Sequence, residues 1–179
     1  KFTDQPVSED KLLTGKVEPT NEAYAIAKIA GIKLCQFYNK QYGTNYITLM
    51  PTNTYGPKDN FNLENGHVIS ALINKFHHAK INSLTHIDVW GSGNQSREFI
   101  YVKDIATSIN YILKKMIQND IQDIIHKGLI NIGTSEEVTI KHLAYLIKDT
   151  VKFDGDIYFD QSKPDGTIRR VLNSKIINE

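Results

Sequence analysis

Much of what a 179-residue chain could contain is absent from this one. There is a single cysteine, Cys35, which excludes an internal disulfide and a cysteine-rich zinc site and suits a reducing cytosol. No apolar run approaches the ~18 to 20 residues of a membrane helix, and the opening KFTDQPVSED lacks the apolar core of a signal peptide. Charge of one sign is missing too: the formal net charge is +1, and no basic run is interleaved with aromatics, which argues against nucleic-acid binding. None of the 11 glycines forms G-x-G-x-x-G after a strand, and the G-S-G of WGSGNQS precedes a strand-like segment rather than a helix. No His/Cys/Asp/Glu cluster has metal-ligand spacing. What remains is a cytoplasmic globular chain, 40% hydrophobic and 23% charged.

The periodicity of that remainder is readable. EPTNEAYAIAKIAGIKLCQFYNKQYG opens with Pro19 and the candidate caps Thr20 and Asn21 and stops at Gly43, as a helix does. Its Ile26, Ala30, Leu34 and Phe37 recur at helical spacing and predict a core face. NYITLM (45–50), ended by Pro51, predicts a strand, as do REFIYV (97–102), GLINIG (128–133) and DIYFD (156–160). Helices are predicted over 65–80, 103–120 and 139–151. This alternation argues for an α/β fold with a mainly parallel sheet. Two long polar loops, PTNTYGPKDNF (51–61) and DQSKPDG (160–166), are the kind of strand-end loop where such folds keep their ligands.

One helix carries a pair that neither a solvated face nor a core stripe accounts for. Lys28 lies about 40° around the helix from Tyr24, and Gly31 and Cys35 lie within about 20° of it, so the tyrosine face is paved with small residues. An ammonium ~4 to 6 Å from a phenol favours the phenolate and makes tyrosine a usable proton donor to a carbonyl as hydride arrives. The spare donors of a lysine can hold a ribose diol. The spacing alone leaves an accidental exposed pair open.

The residues around the pair decide. EPTNEAYAIAK, MPTNTYGPKDNF, NGHVISALI, VWGSGNQSREFIYVKDIA and SKPDGTIRR together resemble the GDP-L-fucose synthase family of extended short-chain dehydrogenase/reductases, from about residue 17 to 173. That resemblance implies the later part of a Rossmann-type doubly wound parallel sheet with an interleaved smaller C-terminal substrate-binding domain. Residues 1–60 and 97–133 would belong to an incomplete NADP-binding domain, and 61–96 and 134–179 to the substrate-binding domain. It implies conversion of GDP-4-keto-6-deoxy-D-mannose to GDP-L-fucose with NADP(H), by a homodimer when full length. Pairing of copies would use the helix of Tyr24 and Lys28, on its Ile26/Phe37 side.

The roles follow the matching residues. Tyr24 matches the catalytic acid, and Lys28 its ribose-binding partner. Pro51, Thr52, Asn53 and Thr54 match the loop at the nicotinamide end of the cofactor, where an ordinary turn is the alternative. His67 matches the epimerising histidine, also beside the cofactor; without the resemblance it is a helix-start residue. Neutral imidazole can move protons at carbons acidified by a neighbouring ketone. Lys75, Trp90, Arg97, Asp165 and Arg170 match substrate contacts, with Arg97 suited to a pyrophosphate. Trp90 would otherwise be core and Asp165 a plain turn residue. A glycine-rich turn, a serine and a second acid/base cysteine are expected upstream of Lys1, Cys35 being on the wrong helix, and a last helix beyond Glu179. The 179 residues by themselves are then expected to turn over no substrate. Two rivals stay open: another nucleotide-sugar epimerase or dehydratase of the superfamily, and a non-catalytic nucleotide-sugar-binding module.

Overall fold

The computed structural model describes residues 3–63, 66–118 and 128–178. In chain order the elements are α1 (Glu22–Tyr42), β1 (Thr48–Pro51), β2 (Asn53–Tyr55), α2 (Val68–Ile81), β3 (His86–Trp90), β4 (Ser96–Tyr101), α3 (Val102–Ile117), β5 (Leu129–Ile132), β6 (Glu137–Thr139), α4 (Ile140–Val151), β7 (Asp156–Asp160), β8 (Arg169–Arg170) and the short α5 (Lys175–Asn178). They divide into two compact units. The first comprises Lys1–Thr52, Val102–Ser135 and Val171–Glu179, and the second Asn53–Tyr101 and Glu136–Arg170.

In the first unit β1 and β5 pair in parallel, Thr48 opposite Leu129 and Pro51 opposite Ile132. Pro51 closes β1 from within rather than ending it from outside, because Thr52 N–H donates the next bond, to Ile132 O at 2.9 Å. The strand starts later than expected because Asn39 has claimed the residues before it. Its side chain takes Tyr46 N–H and gives to Tyr46 O, both at 2.8 Å, turning the chain back after Gly43 closes α1 in the left-handed region at φ +65°. The α-helix begins at Glu22; Pro19–Asn21 form a 3-10 turn in front of it.

One expectation about α1 is overturned. Ile26, Leu34 and Phe37 are exposed (53, 58 and 62%) and Ala30 is exposed with them; the buried side centres on Ile32. Ala25, Ile29, Ile32 and Gln36 recur at the same 3-4 spacing as the predicted stripe, so α1 has apolar residues on two sides and periodicity could not rank them. Inside this unit the buried Asn131 gathers loose ends: its amide gives to Val7 O and Asn173 O (2.9 and 3.1 Å), and its N–H to Glu9 Oε1 (2.8 Å).

The second unit has its own core, of Ile69, Leu72, Phe76 and Ala79 from α2, Ile87 and Val89 from β3, Ile140, Leu143, Ala144 and Ile147 from α4, and Phe153. Each large apolar side chain so buried stabilises by about 1.5–3 kcal/mol. β3 pairs with β7 in parallel, and its strict alternation sends Ile87 and Val89 inward and His86, Asp88 and Trp90 outward. β4 is flanked by β2 (parallel), β6 (antiparallel) and β8 (parallel), with Ser96, Glu98 and Ile100 buried and Arg97, Phe99 and Tyr101 on the other face. Its bounds fall one residue earlier than expected, since Val102 already opens α3. Of the predicted helices, 65–80 is seen as Val68–Ile81 and 103–120 as Val102–Ile117; Asn65, Asn119 and Asp120 lie outside the described residues.

Candidate active site

On α1, the i, i+4 geometry brings the Lys28 ammonium to 5.5 Å from the centre of the Tyr24 ring. Tyr24 is 61% exposed, and a β-carbon added at Gly31, two turns further on, would meet no atom within 4 Å. This face is open for a ligand. Lys28 offers it a cation with donors to spare, the chemistry a ribose diol requires. Pro51 ends β1, Asn53 and Thr54 begin β2, and Thr52 alone lies between them, so PTNT joins two strands directly. The Asn53 amide donates to Glu98 O at 2.8 Å and locks β2 against β4.

In the second unit His67 is the N-cap residue of α2, with φ −69° and ψ 157°, and its imidazole is 77% exposed. Its Nδ1 lies 3.2 Å from Asp59 Oδ1. Burial pushes the Asp59 carboxyl up, but the Asn60 N–H and the contacts with His67 and Ser70 outweigh it and hold the group below the usual aspartate value. His77 and His78 are surface residues.

The remaining candidates cluster in this unit around the ends of β3, β4 and β8. Trp90 is 63% exposed, not core, and the Lys163 ammonium stands 5.7 Å from the centre of its ring. The turn behind it requires glycine: Gly91 and Gly93 have φ +84° and +76°, and a β-carbon on Gly91 would collide with Asp165 Oδ1. G-S-G is therefore a strand-to-strand turn. Asp165 fastens that turn by accepting Ser92 N–H (2.5 Å) and Ser92 Oγ–H (2.8 Å). The Lys75 ammonium donates to Asp88 O.

Arg97 and Arg170 are register partners on β4 and β8. Arg97 Nη1 donates to Ser96 O (2.7 Å) and Thr167 O (2.6 Å), which fixes the plane of its guanidinium. Burial, and after it the charge of Arg170, push Arg97 below the ordinary arginine value. Neighbouring Arg169, by contrast, is committed to Glu137, with Nε 3.0 Å from both carboxylate oxygens. Two like charges held side by side give this edge a positive field of the kind that attracts an anion. Sequence reasoning missed Asp59, Lys163 and the Glu137–Arg169 pair. Asp59 does sit in the loop flagged as ligand-bearing, eight residues before His67.

These features sit on a Rossmann-type α/β chain, and comparison with known proteins shows its family. Residues 1–133 match the NAD dependent epimerase/dehydratase family, and the chain belongs to that family. It is similar to a GDP-L-fucose synthase of Sinorhizobium fredii, 51% identical over 175 residues covering 98% of this chain and 53% of that one. A GDP-L-fucose synthase of Escherichia coli is 47% identical over 177 residues, covering 97% and 54%. Among solved structures, a GDP-L-fucose synthetase from Naegleria fowleri bound to NADP superposes with a TM-score of 0.84 at 31% identity, over 97% of this chain and 54% of that one. A GDP-D-glycero-L-gluco-heptose synthase from Campylobacter jejuni, solved in the presence of NADPH, gives a TM-score of 0.88 at 30% identity, over 99% and 60%. The chain thus spans about half the length of the curated relatives it matches. No described helix is long and apolar enough to cross a membrane, and no described His, Cys, Asp and Glu residues group to hold a metal ion.

Proposed function

We propose that the full-length protein is a cytoplasmic GDP-L-fucose synthase, which epimerises GDP-4-keto-6-deoxy-D-mannose at C3 and C5 and reduces it at C4. The observation that carries this reading is the open Tyr24–Lys28 face, in a chain about half identical to enzymes of that name. NADPH supplies the hydride. Lys28 would hold its ribose, with Pro51, Thr52, Asn53, Thr54 and His67 toward the nicotinamide end; the donors of Lys28 and the bare Gly31 surface fit that role. We assign the first unit to the dinucleotide and the second to the sugar nucleotide.

The sugar's 4-keto group acidifies C3–H and C5–H, and His67 moves a proton at one of those carbons. Tyr24 then protonates O4 as the alcohol forms, and the Lys28 charge stabilises the phenoxide left behind. Arg97 and Arg170 bind the pyrophosphate, Trp90 lies against the substrate, and Lys75 and Asp165 complete its surroundings, Asp165 through the turn it fastens. The exposed Ile26, Leu34 and Phe37 stripe is the face through which we expect two copies to pair.

The test is stoichiometry with the full-length protein. GDP-L-fucose formed with one NADPH oxidised per sugar supports the synthase. A changed sugar with no net loss of NADPH would make it a cofactor-recycling epimerase, and binding without turnover a sugar-nucleotide module. His67→Ala is expected to stop solvent deuterium entering at one of C3 and C5; unchanged uptake at both removes His67 from the mechanism.

A further inference from the structure

His67 is an exposed ring that must present one particular nitrogen to a substrate, and nothing within α2 determines which. The determinant comes from the loop before it. We propose that Asp59 is a positioning residue for His67: its carboxylate takes the Nδ1–H, fixes that tautomer and ring orientation, and leaves Nε2 as the nitrogen that exchanges protons with the sugar. This deepens, and rests on, the reading of His67 as the epimerising residue.

Several independent observations support it. Asp59 is only 14% exposed while its partner is 77% exposed, so the carboxylate is the anchored member and the imidazole the working one. Its Oδ1 accepts Asn60 N–H at 2.7 Å as well as facing His67 Nδ1 at 3.2 Å, which fixes the carboxylate plane. Its Oδ2 is buried, and the Ser70 side chain helps hold the carboxyl low. The loop is built to deliver it. Asn62 N–H binds Asn60 Oδ1 (3.0 Å), Asn74 of α2 holds Phe61 O (2.7 Å), and Gly66 N–H returns to Asn62 O (2.9 Å). Gly66, directly before His67, has no room for a β-carbon, which would collide with Asn62 O and stand 2.7 Å from Asn60 O. A glycine there therefore lets the chain before His67 approach the Asn60 and Asn62 carbonyls closely. Ser70 Oγ–H, giving to His67 O at 2.9 Å, pins the histidine's own backbone.

A carboxylate behind a working imidazole sets its tautomer and offsets the charge it gains with a proton. Mere proximity to the start of α2 would instead make Asp59 a helix-stabilising acid, with no bearing on proton transfer.

Two readouts on the full-length protein separate these roles. The first is the ¹⁵N spectrum of His67, which needs no turnover. Neutral His67 is expected to carry its proton on Nδ1 in the parent and to lose that preference in Asp59→Ala; a proton on Nε2 in the parent, or no change in the variant, overturns the proposal. The second is deuterium uptake into GDP-4-keto-6-deoxy-D-mannose in D₂O without NADPH. Asp59→Ala is expected to slow uptake at the His67-dependent carbon by about 10- to 100-fold with KM within about twofold. Asp59→Asn, which keeps an acceptor for Asn60 and so guards against loss by unfolding, is expected to slow it measurably too. Uptake at the parent rate in both variants overturns the proposal, even if their melting temperatures fall. If the parent takes up no deuterium at either carbon, the synthase reading fails, and the ¹⁵N result alone decides the Asp59–His67 pairing.

Discussion

Gly93 and Phe159 pack so closely that a β-carbon on the glycine would stand 2.6 Å from Cε1 of the ring. Gly93 also sits at φ +76° and gives its carbonyl to Lys141 N–H (2.8 Å) at the start of α4, so neither its torsion nor its position can relax cheaply. Gly93→Ala is expected to cost about 2–4 kcal/mol, the sum of a left-handed alanine and an overpacked core. A urea titration that left the midpoint unmoved would show the turn to be soft.

Tyr24→Phe removes a hydroxyl from an exposed ring and leaves the ring over Lys28. In the full-length protein, reduction is expected to fall by about 10²- to 10⁴-fold, with GDP-sugar affinity within a few-fold of the parent. Calorimetric titration beside an NADPH oxidation assay distinguishes this from a structural role, in which binding would be lost in parallel.

Arg97→Lys keeps a charge but not the planar fork that Ser96 O and Thr167 O hold in place. GDP-sugar affinity is expected to drop about tenfold or more. The Kd should also depend less steeply on salt in Arg170→Ala, since one of two charges facing the anion is gone. Equal salt slopes in parent and variant would place the pyrophosphate elsewhere.

Glu137 is held below the ordinary glutamate value first by its hydrogen bonds with Arg169, then by the Ser96 hydroxyl. Its folded value being lower than its unfolded one, the stability it contributes is full above the unfolded value near 4.5 and is lost as pH falls through the folded one. Parent and Glu137→Gln stabilities should therefore differ fully above the unfolded value near 4.5 and converge as pH falls through the lower folded one. A gap that stays constant down to pH 3 would show that the carboxylate charge does not matter.

Phe76 is completely buried in the α2–β3–α4 core and edge-on to Phe153, with ring centres 5.8 Å apart. Phe76→Ala is expected to cost about 3–5 kcal/mol, read as a fall in the thermal unfolding midpoint.

Long periodic elements were legible in the chain because their signals are redundant. α1 through α4 declared themselves by caps and spacing, and β5 by an apolar run. β6 and β8 have three and two residues, too few for any period, and exist only because β4 offers edges for them. β3 did carry a signal, the alternation in HIDVW, but one inward pair is a faint period beside a tryptophan that reads as core. The face of α1 was misjudged for a physical reason: both sides are apolar, and burial is decided by what packs there. At the site, spacing raised Tyr24 and Lys28 as a pair, and the resemblance to a family singled out that pair and His67. Asp59 and Lys163 act through contacts over eight and 73 positions, and only folding supplies those.

The alternation of the two units along the chain has a covalent consequence. The backbone passes between them at Thr52–Asn53, Tyr101–Val102, Ser135–Glu136 and Arg170–Val171. Neither unit is a contiguous cassette, so no single start and stop codon encloses one without segments of the other. A protease cutting any connection leaves a nicked pair rather than a liberated half, and a laboratory wishing to express either must circularly permute or splice it. Genetic exchange faces the same constraint: neither unit can be traded whole by one crossover.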